Sequence, residues 1–438
     1  MDNNQPKEAR YSRKLEQRCK ISKYKINKQY KSIQLGKQYF IRMDLLSFSC
    51  VRPHTIFSKT YYLKVMEDEV IISAFNNFKN PKYIIELKLT TQILWKIGKQ
   101  NLKAFGIFYQ NKIKYFEAQH SYLEQFKKMI GGRVIYRNMA SFYEPIQFIG
   151  EGMSAKVFRS IEKQTNKAVA VKMIKQEFGR EEQALDIVRT EVKILQSLDH
   201  PNIIKVLEVY ENDQTFWIVQ EFVQGTPLSE ILKQKLPTEQ IKMIMIGLLN
   251  TVSYLQSLRI VHRDIKPENI IVQKDSSIKV IDFGFAANLK FGSVSSVCGT
   301  PGYYAPEVLR QKESSFNSDM FSVGVVLFNL ITNQPMLKSK MYKAQQYVAD
   351  EEAADLLKQM LEVDPVKRFT AQQALEHPYF KGFQSINEKQ DNQCSSEHQI
   401  LQQQMQNNQQ QQYQPKKSNK SLDAKTIKSL RTTNIIDL

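Results

Sequence analysis

The chain of 438 residues lacks any long apolar run and any sign of export. A membrane-spanning helix needs about 20 consecutive apolar residues, and no stretch approaches that length. Residues 1–5 are polar, so a secretory signal is not expected. Asp2 stands where myristoylation requires glycine, and residues 435–438 carry no prenylation cysteine. These absences exclude a spanning segment and give no support for a lipid anchor.

Cysteine is also scarce, with four residues in the whole chain. They are scattered along it, at Cys19, Cys50, Cys298 and Cys394. A disulfide framework is therefore not expected, and reduced thiols in a cytosolic or nuclear compartment are favoured. We expect a cytoplasmic protein.

Acidic residues are few in one part of the chain only. The formal net charge is +18, and residues 1–142 contain 27 Lys and Arg against 10 Asp and Glu. Residues 143–380 contain 27 against 29, and residues 381–438 contain 8 against 5. Such asymmetry suggests that the first third meets a polyanion, either an anionic membrane surface or nucleic acid. A generally lysine-rich chain is the simpler alternative.

Four segments follow from the patterning. Residues 1–34 are basic with little apolar periodicity, which predicts a flexible arm. Residues 35–136 contain about six short apolar runs separated by polar turns, followed by apolar residues at helical spacing and by Gly131-Gly132. Residues 143–380 carry the chemical motifs. Residues 381–438 are rich in Gln and Asn, which predicts disorder.

The most informative motif begins at His262-Arg263-Asp264 and extends to Asn269, with Asp282-Phe283-Gly284 thirteen residues later. The Asp264 carboxylate could accept a hydroxyl proton. Asn269 and Asp282 supply oxygen donors suited to Mg²⁺, which shares its coordination with phosphate oxygens. Phosphoryl transfer needs this combination, because it depends on positioning and on charge neutralisation.

Three further features precede this motif in an order that suits the same chemistry. Gly150 and Gly152 follow an apolar run and would let the backbone approach phosphates. Lys172 lies in a β-branched run, and Glu191 follows nineteen residues later at helical spacing. Taken singly, the glycines are equally explained by a hairpin turn, whereas such a lysine is usually an edge-strand charge and such a glutamate is nearly always a surface residue.

Together with the segment Gly299–Glu307 and with Arg368, these motifs resemble the eukaryotic protein kinase family of serine/threonine type. The resemblance is closest to the calcium/calmodulin-dependent group. It implies an α+β, bilobal fold, with a small β-rich lobe that ends near Glu221 and a large helical lobe. The preceding layout of strands and one C-terminal helix resembles a pleckstrin-homology-like (PH-like) domain. The alternative is a small β domain that packs on the kinase or binds protein.

The kinase resemblance implies roles for individual residues. Catalytic roles would fall to Lys172, Asp264, Lys266, Asn269 and Asp282, the last two residues also holding Mg²⁺. ATP would lie against Ile149, Gly150, Gly152, Val157, Ala170, Lys172, Glu191, Gln220, Glu221 and Val223, with the backbone of Glu221 and Val223 bonding the base.

The resemblance also implies regulation and substrate selection. Arg263 precedes the catalytic aspartate, an arrangement typical of kinases that need a phosphate on the activation loop, and Ser296 is the predicted site. Thr300 would bond Asp264 and Lys266. Glu268 would be the one remaining carboxylate for a basic substrate, because Pro227 replaces an acidic residue.

The sequence thus predicts an ATP- and Mg²⁺-dependent kinase of protein hydroxyl groups. Recruitment to anionic lipid or phosphoinositide through residues 1–136 is expected, with Arg52, Lys59 and Lys64 as candidates, and peripheral membrane association would follow. Nucleic acid and a nuclear location are the less favoured alternatives, since no aromatic-basic RNA-binding motif is present. A pseudokinase scaffold is disfavoured because every catalytic position is filled.

Overall fold

The computed structural model describes residues 45–382, apart from 55–56, 99–100, 111, 153–154, 176–180, 213–214, 290–293, 296–297, 312, 338 and 340. The predicted basic arm, nearly all of the predicted tail, and Ser296 lie outside the described residues. The described residues up to Tyr379 form one compact unit.

The N-terminal domain is built from seven strands and one helix. The elements are β1 (Leu46–Arg52), β2 (Lys59–Val65), β3 (Glu69–Ser73), β4 (Pro81–Glu86), β5 (Gln92–Ile97), β6 (Leu102–Tyr109), β7 (Lys112–Glu117) and α1 (His120–Ile130). The six predicted strands are present as β2 to β7. Strand β1 was not predicted, although its serines alternate with the buried Phe48 and Cys50 as in a half-buried strand.

Helix α1 closes one side of this domain. Its buried residues Leu123, Phe126 and Ile130 recur at helical spacing and join the core of the sheet. The helix ends at Gly131, where a Cβ would come within 2.4 Å of the carbonyl oxygen of Leu207. Glycine is therefore needed here for a close approach of two backbones.

The small lobe continues the same sheet. It consists of β8 (Ile135–Tyr136), β9 (Tyr143–Glu151), β10 (Ala155–Glu162), β11 (Ala168–Lys175), α2 (Glu181–Gln196), β12 (Val206–Glu211) and β13 (Thr215–Glu221). The strand order is β4-β3-β2-β1-β7-β6-β5-β8-β12-β13-β11-β10-β9. The two-residue strand β8 pairs in parallel with β5 on one side and with β12 on the other.

The two faces of the small-lobe sheet contact different partners. Along β11, Val169 and Val171 belong to the hydrophobic core of the N-terminal domain. Ile174, on the opposite face, packs in a second core with Val188 and Val192 of α2. Because side chains alternate along a strand, the strand that carries Lys172 is held from both sides.

The large lobe is mainly helical. It contains β14 (Thr226–Pro227), α3 (Leu228–Ile231), α4 (Thr238–Ser257), β15 (Ile260–Val261), β16 (Ile270–Val272), β17 (Ile278–Val280), β18 (Ala287–Asn288), β19 (Val294–Ser295), α5 (Pro306–Gln311), β20 (Glu313–Ser314), α6 (Phe316–Thr332), α7 (Glu351–Met360) and α8 (Ala371–Leu375). Helices α4 and α6 form its centre, and α6 is buried along most of its length.

The predicted bilobal division is confirmed, since the last small-lobe strand ends at Glu221 and helices follow. No helix in the described part of the chain has the length and apolar character needed to span a membrane.

Candidate active site

The buried carboxylate of Asp319 holds the loop that follows β15. The backbone N–H groups of His262 and Arg263 donate to the two oxygens of Asp319 in α6, at 2.7 and 2.9 Å. Burial raises the pKa of Asp319 despite these contacts. Arg263 adopts a left-handed backbone conformation with φ 67°, a strain of about 1–3 kcal/mol that the surrounding contacts must maintain.

Asp264, the next residue of this loop, lies at the centre of a polar cluster. The hydroxyl of Thr300 donates to its Oδ1 at 2.7 Å. Its Oδ2 accepts from the Lys266 ammonium at 2.9 Å and from Nδ2 of Asn269 at 3.0 Å. Lys266 also donates to the Thr300 hydroxyl at 2.6 Å. A carboxylate offers about four lone-pair sites, so Oδ1 retains acceptor capacity for a further hydroxyl.

Lys172 bridges two carboxylates from different parts of the chain. Its ammonium donates to Oε1 and Oε2 of Glu191 at 2.8 and 2.9 Å, and to Oδ1 of Asp282 at 2.8 Å. Burial opposes the charge on Lys172, but the two carboxylates outweigh it and raise its pKa above the usual value. The ammonium in turn outweighs burial at Asp282 and lowers that pKa. Both directions favour the charged forms of Lys172 and Asp282.

The segment that carries Asp282 is strained and closely packed. Asp282 has φ 61°, and the N–H of Gly284 donates to its Oδ1 at 3.2 Å. A Cβ on Gly284 would come within 3.1 Å of that oxygen. The ring of Phe283 meets that of His262 edge-on, with centroids 4.7 Å apart. This packing ties the position of Asp282 to the loop of Asp264.

Most of the predicted nucleotide-binding residues lie on strands β9, β10, β11 and β13 of the small lobe. Gly150 lies near the end of β9, where it pairs with Val157 of β10. Gly152 lies between the two strands, and its N–H donates to the carbonyl of Ala155 at 2.8 Å. A Cβ on Gly150 would meet no atom of the described residues within 4 Å. Contacts with these residues therefore do not explain the glycine at 150. Ile149 is exposed, Val157 is half-buried and Ala170 is buried.

Strand β13, which would contact the base, ends at Glu221, and hydrogen bonds hold both the backbone and the side chain of this residue. Glu221 donates its N–H to the carbonyl of Lys205 at 3.0 Å, and its side chain accepts from Lys279 Nζ at 2.7 Å. The N–H of Glu221 is therefore already used within the protein. The prediction that the backbone of Glu221 would bond the base is thus limited to its carbonyl group. No sequence pattern indicated Lys279, which resembles any surface lysine. Val223 is half-buried beyond the end of β13.

The remaining predicted residues occupy varied positions. Glu268 is exposed beside the catalytic loop. Farther down, Arg368 donates to both oxygens of Glu307 at 2.6 and 2.9 Å, which anchors the segment after Thr300. This bidentate pair is buried, and such geometry is favourable for an arginine and a carboxylate.

The donor set near Asp282 fits Mg²⁺. Asp282 keeps 35% of its side chain exposed, whereas Glu191 is fully enclosed. Nδ2 of Asn269 is committed to Asp264, so its Oδ1 is the atom available to a cation. Among the described residues, no group of three or more His, Cys, Asp or Glu side chains could hold a metal alone. Phosphate oxygens would have to complete the coordination, as is usual for Mg²⁺.

Two lobes with a bridged lysine, two oxygen donors and an oriented carboxylate at their junction define a nucleotide-dependent phosphotransferase. The protein kinase domain family matches residues 143–380, more than half of the chain. The chain belongs to the protein kinase family.

Several curated proteins are similar to this chain. Human serine/threonine-protein kinase DCLK3 is 34% identical over 271 residues, covering 57% of this chain and 41% of DCLK3. The kinase cds1 of Schizosaccharomyces pombe is 32% identical over 292 residues, covering 60% and 63%. The mouse phosphorylase b kinase gamma catalytic chain, liver/testis isoform, is 34% identical over 269 residues, covering 55% and 66%. The chain therefore spans less than two thirds of each relative, and their names support a protein serine/threonine kinase.

Proposed function

We propose that the chain is an ATP-dependent serine/threonine protein kinase that transfers the γ-phosphate to protein hydroxyl groups. The observation that carries the proposal is the bridge from Lys172 to Glu191 and Asp282, at the mouth of the cleft that also holds Asp264 and Lys266. A lysine held by two carboxylates has a fixed position, which electrostatic catalysis of phosphoryl transfer requires.

Each polar residue then has a defined task. Lys172 would contact the α- and β-phosphates, with Glu191 fixing its direction. Asp264 would orient the substrate hydroxyl and receive its proton at Oδ1, where Thr300 already donates. Lys266 would neutralise charge on the transferred group. When bound beside Asp282 and Asn269, Mg²⁺ would neutralise charge on the phosphate oxygens.

The apolar part of the cleft suits a purine. Ile149, Val157 and Ala170 would cover its faces, and Val223 would bond its edge through the backbone. Gln220 is buried, and its Nε2 has no hydrogen-bond partner among the described residues. The glycines at 150 and 152 would place backbone over the phosphates.

Substrate selection would come from two residues. The hydroxyl of Thr300 joins Lys266 to Asp264 and would shape the site for serine or threonine. Glu268 is an exposed carboxylate that could meet a basic residue of the substrate. The names of the relatives support the serine/threonine class. Within that class, we propose that the chain is most similar to the calcium/calmodulin-dependent group.

Mg²⁺-dependent autophosphorylation of the full chain tests the proposal. Asp264→Asn and Asp282→Ala should each abolish phosphate incorporation from labelled ATP, because the first removes the proton acceptor and the second a cation ligand. Asp199→Asn, at a side chain that is 92% exposed, is the matched control and should behave as wild type. Nucleotide binding without transfer by the wild-type chain would indicate a pseudokinase instead.

We also infer that a phosphate on Ser296 activates the enzyme. Arg263 is next to Asp264, the proposed catalytic aspartate, and its Nε donates to the carbonyl of Phe285 at 2.6 Å. The guanidinium of Arg263 could also pair with a phosphate on Ser296, which follows Phe285 in the sequence. Ser296→Ala should lower turnover of a model substrate at least tenfold. Equal activity of the variant and the wild type, after the same activating treatment, would remove Ser296 from the mechanism.

A second candidate function, recruitment to anionic lipid, is supported by the N-terminal domain. Its strand order, β4-β3-β2-β1-β7-β6-β5 followed by a helix, suits the proposed PH-like layout. Arg52, Lys59, Lys82, Lys112 and Lys114 lie near the strand ends around the β1–β2 turn. Burial and the neighbouring cations lower the pKa of Lys114, as expected in a positively charged cluster. Lys64 instead lies over the ring of Phe78.

Two exposed aromatic side chains lie in loops near this cationic cluster. Phe57, between β1 and β2, is 71% exposed, and Phe75, between β3 and β4, is 64% exposed. Apolar rings beside lysines suit the interface of an anionic membrane, where rings insert and cations face headgroups. This combination favours lipid over nucleic acid.

Sedimentation of the full chain with vesicles tests recruitment. Phosphatidylcholine vesicles containing phosphoinositide or phosphatidylserine should retain the protein, and pure phosphatidylcholine should not. Lys82→Glu/Lys114→Glu should reduce retention, whereas Lys274→Glu/Lys358→Glu, an equal charge change on exposed large-lobe lysines, should reduce it much less. Equal loss for both pairs would indicate a non-specific charge effect. If RNA binds the protein and none of the vesicles retains it, nucleic acid is the favoured partner.

A further inference from the structure

The N-terminal domain and the small lobe share a hydrogen-bonded sheet. Ile135 and Tyr136 of β8 pair with Gln92 and Ile93 of β5, and also with Val209 and Tyr210 of β12. Besides these ladders, Nε2 of Gln92 donates to Glu211 at 2.7 Å. A domain connected to the small lobe only through a flexible linker would not need a strand that pairs with both parts.

A buried ion pair crosses the same junction. Lys127 of α1 pairs with Glu208 of β12, and both side chains are more than 90% buried. The hydroxyls of Tyr143 and Tyr210 donate to Glu208 at 2.9 and 2.7 Å. The Lys127 ammonium lies 4.4 Å from the ring centre of Phe142 and within 6.0 Å of three tyrosine rings. Cation–π contacts of this kind stabilise an ammonium that has lost its water.

The ion pair adjoins a hydrophobic core that extends to the catalytic strand. Ring contacts lead from Phe126 to Trp95 at 5.9 Å, from Trp95 to Tyr136 at 5.6 Å, and from Tyr136 to Tyr210 at 5.5 Å. Val171 of β11, next to Lys172, belongs to the same core. The contacts between the N-terminal domain and Lys172 are therefore continuous.

We propose that residues 45–136 are a built-in part of the catalytic small lobe, and that Lys127 is a positioning residue that joins their folding to the geometry of the nucleotide cleft. The junction buries a charge pair that neither part could satisfy alone, so the two parts unfold together. Nucleotide binding then stabilises the N-terminal domain at a distance. This consequence rests on the proposed kinase function, whereas the joint unfolding does not.

The chain has two tryptophans, Trp95 in the N-terminal domain and Trp217 in the small lobe, which provide separate reporters. Full-length Trp217→Phe and Trp95→Phe chains each retain one of them. Thermal unfolding followed by fluorescence should give midpoints that agree within about 2 °C after correction for each substitution by circular dichroism. A non-hydrolysable ATP analogue with Mg²⁺ at about 100 times its Kd should shift the unfolding equilibrium about 100-fold for both reporters.

Divergent outcomes separate the two proposals. If nucleotide raises the Trp217 midpoint and leaves that of Trp95 unchanged, the built-in domain is wrong. If nucleotide moves neither midpoint while both still coincide, joint unfolding stands and nucleotide binding fails.

Lys127→Met provides a test without nucleotide. Because the substitution leaves the Glu208 carboxylate buried and unpaired, the unfolding equilibrium should shift roughly 10²- to 10³-fold in both single-tryptophan chains. The KM for ATP, measured well below the midpoint, should rise several-fold. Lys128→Met, at the neighbouring exposed lysine of α1, should change neither quantity. A lower Trp95 midpoint with an unchanged Trp217 midpoint and unchanged KM would show a purely local role and overturn the proposal.

Discussion

At the scale of residues, the active site depends on charges that burial alone would remove. Burial raises the pKa of Glu191 and acts against the charge on Lys172. The bidentate contact between them, together with Asp282, keeps Lys172 protonated because each ammonium hydrogen has an oxygen partner. Loss of any member would leave an uncompensated buried group, so the three side chains act as one unit.

Lys172→Met should lower turnover at saturating ATP by about 10²- to 10³-fold, comparable to removing one preorganised electrostatic contact. The variant should also favour protonated Glu191, since its charge partner is gone. Lys175→Met, at the exposed end of the same strand, is the matched control and should retain normal turnover. The measurement is steady-state phosphate transfer to a peptide; more than a tenth of wild-type turnover in Lys172→Met would contradict the assigned role.

His262 gives the fold a dependence on pH. Burial lowers its pKa in the folded protein below the usual value near 6.5. The unfolded chain therefore takes up a proton first as pH falls, so the free energy of unfolding should decrease from about pH 6.5 down to the depressed pKa. His200, also with a lowered pKa, adds to this slope.

Denaturant unfolding at several pH values tests this dependence. His262→Phe keeps a ring against Phe283 and should flatten the decline below pH 6.5. The exposed His54→Gln should leave the slope unchanged. An identical slope in wild type and His262→Phe would show that His262 does not titrate differently in the two states.

At the scale of elements, the sequence predicted the existence and the two faces of a strand better than its partners in the sheet. The alternation of Val169 and Val171 with Ala170 and Lys172 indicates a strand with two distinct faces. It does not indicate that the outer face meets another domain. Strand β8 has two residues, too few for a period-2 pattern, yet it joins two parts of the sheet. Lys127 lies on an amphipathic helix, where a lysine ordinarily indicates a solvated face.

Gly131→Ala tests the close approach of α1 to the small lobe. An alanine Cβ would lie 2.4 Å from the carbonyl oxygen of Leu207, so the backbone must shift, and we expect about 1–3 kcal/mol of destabilisation. Gly150→Ala, where the space is open, should change stability by about 0.5 kcal/mol or less. Equal thermal midpoints for the two variants would mean that this approach is not tight.

At the scale of the whole molecule, the catalytic motifs were predictable because their chemistry restricts residue type and spacing. The roles proposed for Asp264, Asn269 and Asp282 require oxygen donors, and the structure places Asn269 against Asp264 and Asp282 against Lys172. The joined sheet was not predictable, because burying Lys127 requires Glu208, which is 81 residues away. Such pairings depend on tertiary geometry, which local patterns do not encode.

The joined sheet predicts that the family-matched region is not an independent domain. A chain reduced to residues 143–382 would expose Val169, Val171 and Tyr210 to solvent. It would leave β12 as an unprotected edge strand. It would also lack Lys127, the cation that pairs with Glu208. We expect this fragment to aggregate, or to unfold at least 10 °C below a chain of residues 45–382. Solubility and thermal unfolding of the two chains are the measurements. A monomeric 143–382 fragment with a midpoint within a few degrees would show that the small lobe is stable alone, and that the shared core contributes little to it.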